Sequence, residues 1–138
     1  MGLRFIETKE ELEKFYGLIL KEYRHKEYHI IGDLHGWEDI DPEFFIQYRK
    51  DRSVAKIHTK LVVTHESQED NPEDPTLLRS VRFLPKGYTF KSTIDIYRDR
   101  VLIVGPALSS LAVVIEIKAM VDVFESVFEI LWDKVAGK

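Results

Sequence analysis

The chain has 138 residues, of which 44% are hydrophobic and 32% charged, and its net charge is −4. This length suits one domain with a sizeable core, and the composition is that of a soluble globular protein rather than a disordered one. The acidic balance, without a block of Lys and Arg, provides no basic surface for nucleic acid. There is no cysteine, so disulfides, thiolate nucleophiles and cysteine metal ligands are excluded.

The N-terminus lacks the pattern of a signal peptide, and no apolar stretch is long enough to span a membrane. We therefore expect a cytoplasmic protein without a membrane partner.

The N-terminal half predicts helices and strands in alternation. Thr8–Glu11 has the form of a capping box, and the apolar stripe behind it predicts a helix over about Lys9–His25. A short buried strand at Tyr28–Ile31 is followed by a second helix over about Asp41–Asp51 or one turn beyond, with Asp as N-cap and Pro in the first turn. The next strand is predicted at Lys60–Thr64. The order strand, helix, strand predicts a right-handed parallel crossover.

The C-terminal half predicts a run of strands and a closing helix. Ser67–Pro75 is acidic, contains two prolines and has no apolar residue, which is typical of a surface loop. The predicted elements after it are strands at Ser80–Leu84, Ser92–Tyr97, Arg100–Val104 and Ala112–Ile117, and a helix at Lys118–Val135 with bulky Phe124, Phe128 and Trp132. The fold class is therefore α/β, a single domain with a mixed β-sheet flanked by helices.

The segment GDLHG, from Gly32 to Gly36, offers an alternative function. A carboxylate and an imidazole two residues apart at a strand end, here Asp33 and His35, resemble part of the metal site of calcineurin-like phosphoesterases. A metal pair needs further ligand blocks, and neither a second Gly-Asp nor an Asn-His pair follows. We therefore favour a plain turn and expect no metal and no cofactor, keeping a metal-dependent phosphoesterase as the alternative.

Other polar and aromatic residues have both a structural and a functional interpretation. His58-Thr59-Lys60 has the H-x-K form of phospholipase D enzymes, but His65 stands where that motif requires Asp, so chance explains the triplet. Asp95 and the charged residues of the following hairpin form either a ligand surface or a solvated hairpin end. Trp37 is equally a pocket-lining residue or a core anchor.

An ordered set of motifs carries a family resemblance. DPEFFIQYRKDR, LLRSVRFLP, FKSTIDIYRDRVLIVG, AVVIEI and VFEILWDKV follow one another between Asp41 and Val135. In this order and wording the chain resembles the C-terminal effector domain of TrmB-like transcription regulators. It departs from the family at Arg98, which replaces the glycine of a tight hairpin.

Such effector domains are similar to half of a phospholipase D fold, which implies how the catalytic positions are filled. Ser92 and Ile94 stand where the His and Lys of H-x-K would lie, and Asp99 retains the motif's Asp. Gly105 falls near the Gly of the Gly-Ser pair, but Pro106 replaces the Ser. Without the nucleophilic His and the phosphate-binding Lys, covalent phosphoryl transfer has no agent, and we expect no enzymatic activity.

The resemblance also implies a role and partners. Residues 1–138 would form an effector and dimerisation domain, a homodimer that binds a small, sugar-like effector. DNA contact would come only through a winged-helix domain, and no such pattern is found in this chain. We expect the ligand pocket at the strand ends, near Asp33, His35, Trp37 and Asp95.

Overall fold

The structure, a computed structural model, describes residues 2–32, 41–65, 75–90, 92–105 and 111–135. Over these ranges it has seven strands, three α-helices and one turn of 3-10 helix. In chain order they are β1 (Leu3–Ile6), α1 (Lys9–Glu22), β2 (Glu27–Gly32), α2 (Pro42–Val54), β3 (His58–Val63), the 3-10 turn (Pro75–Leu77), β4 (Arg79–Phe83), β5 (Thr93–Ile96), β6 (Val101–Val104), β7 (Ala112–Ile115) and α3 (Lys118–Lys134).

The seven strands form one mixed sheet in the order β1-β7-β6-β5-β2-β3-β4. β2, β3 and β4 run parallel to one another, and the other neighbouring pairs are antiparallel. The predicted parallel crossover from β2 through α2 to β3 is confirmed, as is the α/β class with a mixed sheet. The parallel strands lie at one end of the sheet and the antiparallel strands at the other.

The helices begin where the sequence places their caps. The Thr8 hydroxyl accepts a hydrogen bond from the backbone N–H of Glu11 at 3.2 Å, and the Asp41 carboxylate accepts one from Phe44 N–H at 3.3 Å. Both bonds satisfy amides that have no partner within the helix. Shortly after α1 and α2 the backbone turns through His25 and Lys56, each with a φ near +60°, and enters the next strand.

Helices cover both faces of the sheet. α1 and α2 pack on one face, over a cluster that is rich in aromatic rings, and α3 packs on the other. On the first face the rings of Tyr16 and Phe45 meet edge to face, with centroids 5.5 Å apart. On α2 the side chains of Phe45, Tyr48 and Arg52 are buried.

Three details differ from the predicted elements. β1 was not predicted, because a four-residue edge strand with three exposed residues has no clear alternation. α1 ends at Glu22 rather than near His25. A tight hairpin of the expected type favours positive φ, but Arg98 does not have a positive φ. The hairpin is closed by a hydrogen bond from Tyr97 N–H to the Arg100 carbonyl at 2.9 Å. In the described parts of the chain, no helix has the length and apolarity needed to cross a membrane.

Candidate functional site

The carboxyl ends of the three parallel strands meet at one edge of the sheet. Gly32 of β2 is opposite Val63 of β3, and Val63 is opposite Phe83 of β4. This edge is where ligands bind in open α/β sheets. The predicted ligand residues Asp33, His35 and Trp37 follow Gly32 directly in sequence but lie outside the described residues. Their role as ligand-binding residues stays a prediction.

Ser92 lies at this edge, tightly enclosed by two glycines. A Cβ atom added to Gly32, which has a φ of +134°, would clash with the Ser92 carbonyl oxygen. A Cβ added to Gly105 would clash with the Ser92 hydroxyl. Ser92 holds the position that the family resemblance equates with the nucleophilic His. It is packed between the backbone at Gly32 and the backbone at Gly105, and only glycine fits at these two positions.

Ile94 and Asp99 stand at the other two positions that the family resemblance equates with the phospholipase D motif, and both make structural contacts. Ile94 is partly buried and packs in the apolar cluster beneath α3. The Asp99 carboxylate accepts a hydrogen bond from the Tyr23 hydroxyl at 2.9 Å and pairs with Arg100 at 2.7 Å. This carboxylate connects the β5–β6 hairpin to the end of α1, and its contacts stabilise the fold.

Asp95, the fourth predicted ligand residue, lies in the core. Its side chain is fully buried beneath α1, on the face opposite α3. Its Oδ2 accepts hydrogen bonds from the hydroxyls of Tyr16 at 2.7 Å and Tyr97 at 3.3 Å. The structure thus separates Asp95 from the surface clefts described below, and any ligand contact of this carboxylate would require the core to open.

The surroundings of Asp95 explain its ionisation. Burial raises the pKa of Asp95 to about 7, although the hydrogen bonds from Tyr16 and Tyr97 and the charge of Arg52 oppose the shift. Its Oδ1 has no hydrogen-bond partner among the described residues. A buried carboxylate with one unsatisfied oxygen is costly when charged and much less so when protonated.

A second group of polar residues, which the sequence did not suggest, lies under α3. The His29 ring contacts Glu27 on its own strand through Nε2 and Glu125 on α3 through Nδ1, both at 2.7 Å. The ring also stacks on Phe128, with centroids 4.2 Å apart and planes 4° from parallel. Burial, the largest influence, lowers the pKa of His29, but the hydrogen bonds and charges of Glu125 and Glu27 outweigh it and raise the pKa above its ordinary value.

Two surface clefts of about 380 Å³ each flank His29. The first lies toward the start of α3 and the second toward its end, where Lys60 lies over the Trp132 ring at 5.3 Å. The Arg82 guanidinium lies over the same ring at 4.2 Å. The first cleft is lined by Glu27, His29, Ile96, Tyr97, Arg98, Lys118, Val121, Asp122 and Glu125, and the second by Glu27, His29, Lys60, Phe128, Glu129, Trp132 and Asp133.

The spacing of Glu27 and His29 carried a weak signal for this group. Residues two apart on a strand share one face of the sheet, so both side chains must point toward the same helix. The third partner, Glu125, comes from a helix almost 100 positions later, and no local pattern indicates which turn of α3 crosses β2. Across the described residues, no group of three or more His, Asp or Glu side chains is arranged to hold a metal ion.

Comparisons with known proteins agree with the architecture. The fold is similar to that of TrmBL2, an archaeal chromatin protein whose structure is described as showing a novel mode of DNA binding, with a TM-score of 0.63 and 15% sequence identity. The likeness covers 100% of this chain and 55% of that one, so this chain spans about half the length of TrmBL2. At this identity the likeness shows the fold.

Comparison by sequence gives no assignment. No protein-family model matches the chain. No curated protein matches it either. The likeness to TrmBL2 shows the fold, and both the relation to TrmB-like regulators and the assignment to their effector domain stay predictions.

Proposed function

We propose that this chain is a non-catalytic effector-sensing and dimerisation domain of a TrmB-like transcription regulator, acting in the cytoplasm. It binds a small, sugar-like effector at the carboxyl edge of β2, β3 and β4, near Asp33, His35 and Trp37. Binding changes the arrangement of two copies of the domain. That change alters the position of a separate winged-helix domain, which contacts DNA. Sensing of this kind needs only a difference in affinity between two arrangements.

The observation that carries the proposal is the likeness of the whole chain to part of TrmBL2. The entire length of this chain matches 55% of TrmBL2, so 45% of that protein lies outside the shared fold. A regulator in which sensing and DNA contact belong to different domains would have such additional length. The net charge of −4 also favours a sensing role over direct contact with DNA phosphates.

The packing at the ancestral catalytic positions supports a binding role over turnover. Ile94 provides no cation for phosphate, and its side chain packs in the cluster under α3. The carbonyl oxygen of Ser92 lies against Gly32 and its hydroxyl lies against Gly105. The positions that the resemblance equates with the reactive His and Lys hold Ser92 and Ile94, which favours binding at the strand edge over turnover.

The experiment is a thermal-shift screen of the 138-residue chain against glucose, maltose, trehalose and sucrose, followed by calorimetry of any that bind. We expect at least one sugar to raise the melting temperature, because a ligand that binds only the native state stabilises it. Trp37→Ala should abolish the shift. The matched control is Val54→Ala, since Val54 is 74% exposed on α2, away from the strand ends.

Two results would contradict the proposal. One is the absence of any shift across a wider library of metabolites, which would leave a scaffold without a ligand. The other is manganese bound at stoichiometric level, with hydrolysis of a generic phosphodiester, both abolished by Asp33→Ala. That second result would establish the phosphoesterase alternative.

A further inference from the structure

α3 carries a second apolar stripe that the sheet does not cover. Met120, Val123, Val127 and Ile130 are 40%, 62%, 44% and 61% exposed, whereas Val121 and Phe128 on the other side of the helix are buried. The four exposed residues recur at steps of three, four and three. This is the spacing of the seam between two helices in a coiled coil.

Two further exposed apolar residues lie on the edge strand β1. Leu3 and Phe5 are 50% and 58% exposed, and they pair with Ile115 and Val113 on β7. Ile115 packs in the cluster beneath α3, so Leu3 and Phe5 point to the same face of the sheet. The Gly2 carbonyl accepts a hydrogen bond from Glu116 N–H at 2.6 Å, which holds β1 beside the start of α3. An apolar surface that extends over a helix and a strand edge typically marks a protein interface.

The charges at the ends of α3 indicate what covers this surface. Glu116 stands just before α3 and Lys134 at its last residue, and both are exposed. If two copies of α3 pair antiparallel with Val123 facing Val127, then Met120 of each copy faces Ile130 of the other, and Lys134 of each copy lies toward Glu116 of the other. Lys118 is paired with Asp122 of its own helix at 2.6 Å. A parallel pair would instead place Lys134 against Lys134 and Glu116 against Glu116.

We propose that the exposed stripe of α3 is the interface with a second copy of this chain, paired antiparallel about a two-fold axis that passes between Val123 and Val127. The proposal rests on the dimerisation part of the proposed function and adds the surface and its geometry. A two-fold interface uses the same surface on both copies, and in the antiparallel arrangement the apolar residues of this stripe face one another while Glu116 and Lys134 lie near their opposites. Leu3 and Phe5 extend the interface at each end.

The first test measures the association of the full chain by analytical ultracentrifugation across a range of concentrations. We expect a dimer. The double variant Val123→Glu with Val127→Glu places carboxylates opposite each other across the axis and should weaken dimerisation about 100-fold, because like charges facing each other in an interface are strongly unfavourable. Val54→Glu adds a charge at a comparably exposed position on α2 and should leave the dimer unchanged. Circular dichroism verifies that each variant is folded.

The second test addresses the direction of pairing and uses only exposed residues. Lys134→Glu should weaken the dimer roughly 3- to 10-fold, since an exposed ion pair is worth little individually and two are lost by symmetry. Adding Glu116→Lys should restore it, because each reversed charge again meets its opposite. In a parallel pair the second substitution brings no recovery.

The outcomes separate this proposal from the function it rests on. A strict monomer at high concentration would overturn both the interface and the dimerisation role, and the stripe would then serve a different partner. A dimer that the double Glu variant leaves intact would overturn the interface alone. Failure of Glu116→Lys to rescue Lys134→Glu would overturn the antiparallel arrangement. The sugar thermal shift is measured independently of all three.

Discussion

The two faces of the sheet are built differently. The face under α1 and α2 is closed, and its aromatic rings, among them Tyr16, Phe45 and Tyr48, are almost completely buried. The face under α3 is open, since that helix buries only Val121 and Phe128 fully and leaves Leu3 and Phe5 on the edge strand exposed. The first face has hydroxyl groups arranged around a buried carboxylate, and the second has an ion-paired histidine between surface clefts.

The difference indicates that one face of the sheet mainly stabilises the fold and the other is available for binding. A closed aromatic core contributes most of the free energy of folding, because burial of apolar surface is the dominant favourable contribution. An open face with exposed apolar side chains contributes less to folding and leaves surface available for binding. Substitutions at matched positions on the two faces should therefore have effects of different size.

The largest expected effect is at Phe45, on the closed face. Phe45→Ala should lower the free energy of unfolding by about 3–5 kcal/mol, since truncation of a buried Phe leaves a cavity among the surrounding rings. Urea denaturation measures the change. The control is the next residue, Ile46, which is 52% exposed, and Ile46→Ala should change the stability by less than about 0.5 kcal/mol. Equal losses at the two positions would contradict a closed core under α2.

The second expected effect concerns Asp95 and depends on pH. Its pKa in the folded chain is about 7, above its ordinary value of 3.8, so the folded state holds a proton that the unfolded state releases. The free energy of unfolding therefore falls as the pH rises from about 4 to 7, by about 4 kcal/mol at most, and is level above that range. Asp95→Asn should remove this slope and stabilise the chain at pH 8, as urea denaturation at pH 5 and 8 would show.

Asp99 provides a control of opposite sign. Burial tends to raise its pKa, but the hydrogen bonds from Arg100 and Tyr23 outweigh this and lower it. Its contribution to stability is therefore present above its ordinary pKa and is lost as the pH falls. Asp99→Asn should slightly lower the free energy of unfolding at pH 8. If Asp95→Asn also destabilised the chain at pH 8, the ionised carboxylate would be a structural requirement of the core.

Much of the fold could be predicted because its signals are local. The caps at Thr8 and Asp41 and the apolar stripe of α1 predicted two helix starts that the structure confirms. The strand, helix, strand order predicted the parallel pairing of β2 with β3. β1 was missed because its pairing with β7 joins residues more than 100 positions apart, and its four residues carry no pattern of their own.

The candidate sites were less predictable because they depend on which face of a strand each side chain points to. Asp95 was expected at a pocket, but the pleat of β5 directs it into the core, where Tyr16 of α1 contacts it from 79 residues away. The cluster at His29 depends on the place where α3 crosses β2. Neither relation is encoded in neighbouring residues, so only the folded chain reveals them.

A smaller effect than at Phe45 or Asp95 is expected at His29, whose contact with Glu125 joins β2 to α3. His29 has a pKa above its ordinary value of 6.5 because of Glu125 and Glu27, so its contribution to stability is complete below pH 6.5 and is lost as the pH rises through the higher pKa of the folded state. His29→Gln should cost about 1–2 kcal/mol at pH 6. At pH 9 the cost should be smaller, because the histidine of the parent chain loses its charge as the pH rises through its pKa.

Denaturation at both pH values measures this loss, and His58→Gln, at an exposed histidine on the neighbouring strand, is the control. The same measurement relates the open face to its proposed use. Glu125 lies midway between Val123 and Val127 in sequence, so the ion pair with His29 fixes the helix turn that would lie at the centre of the two-fold interface. We expect His29→Gln to weaken dimerisation together with stability. A loss of stability without any change in the dimer would show that α3 keeps its position through Val121 and Phe128 alone.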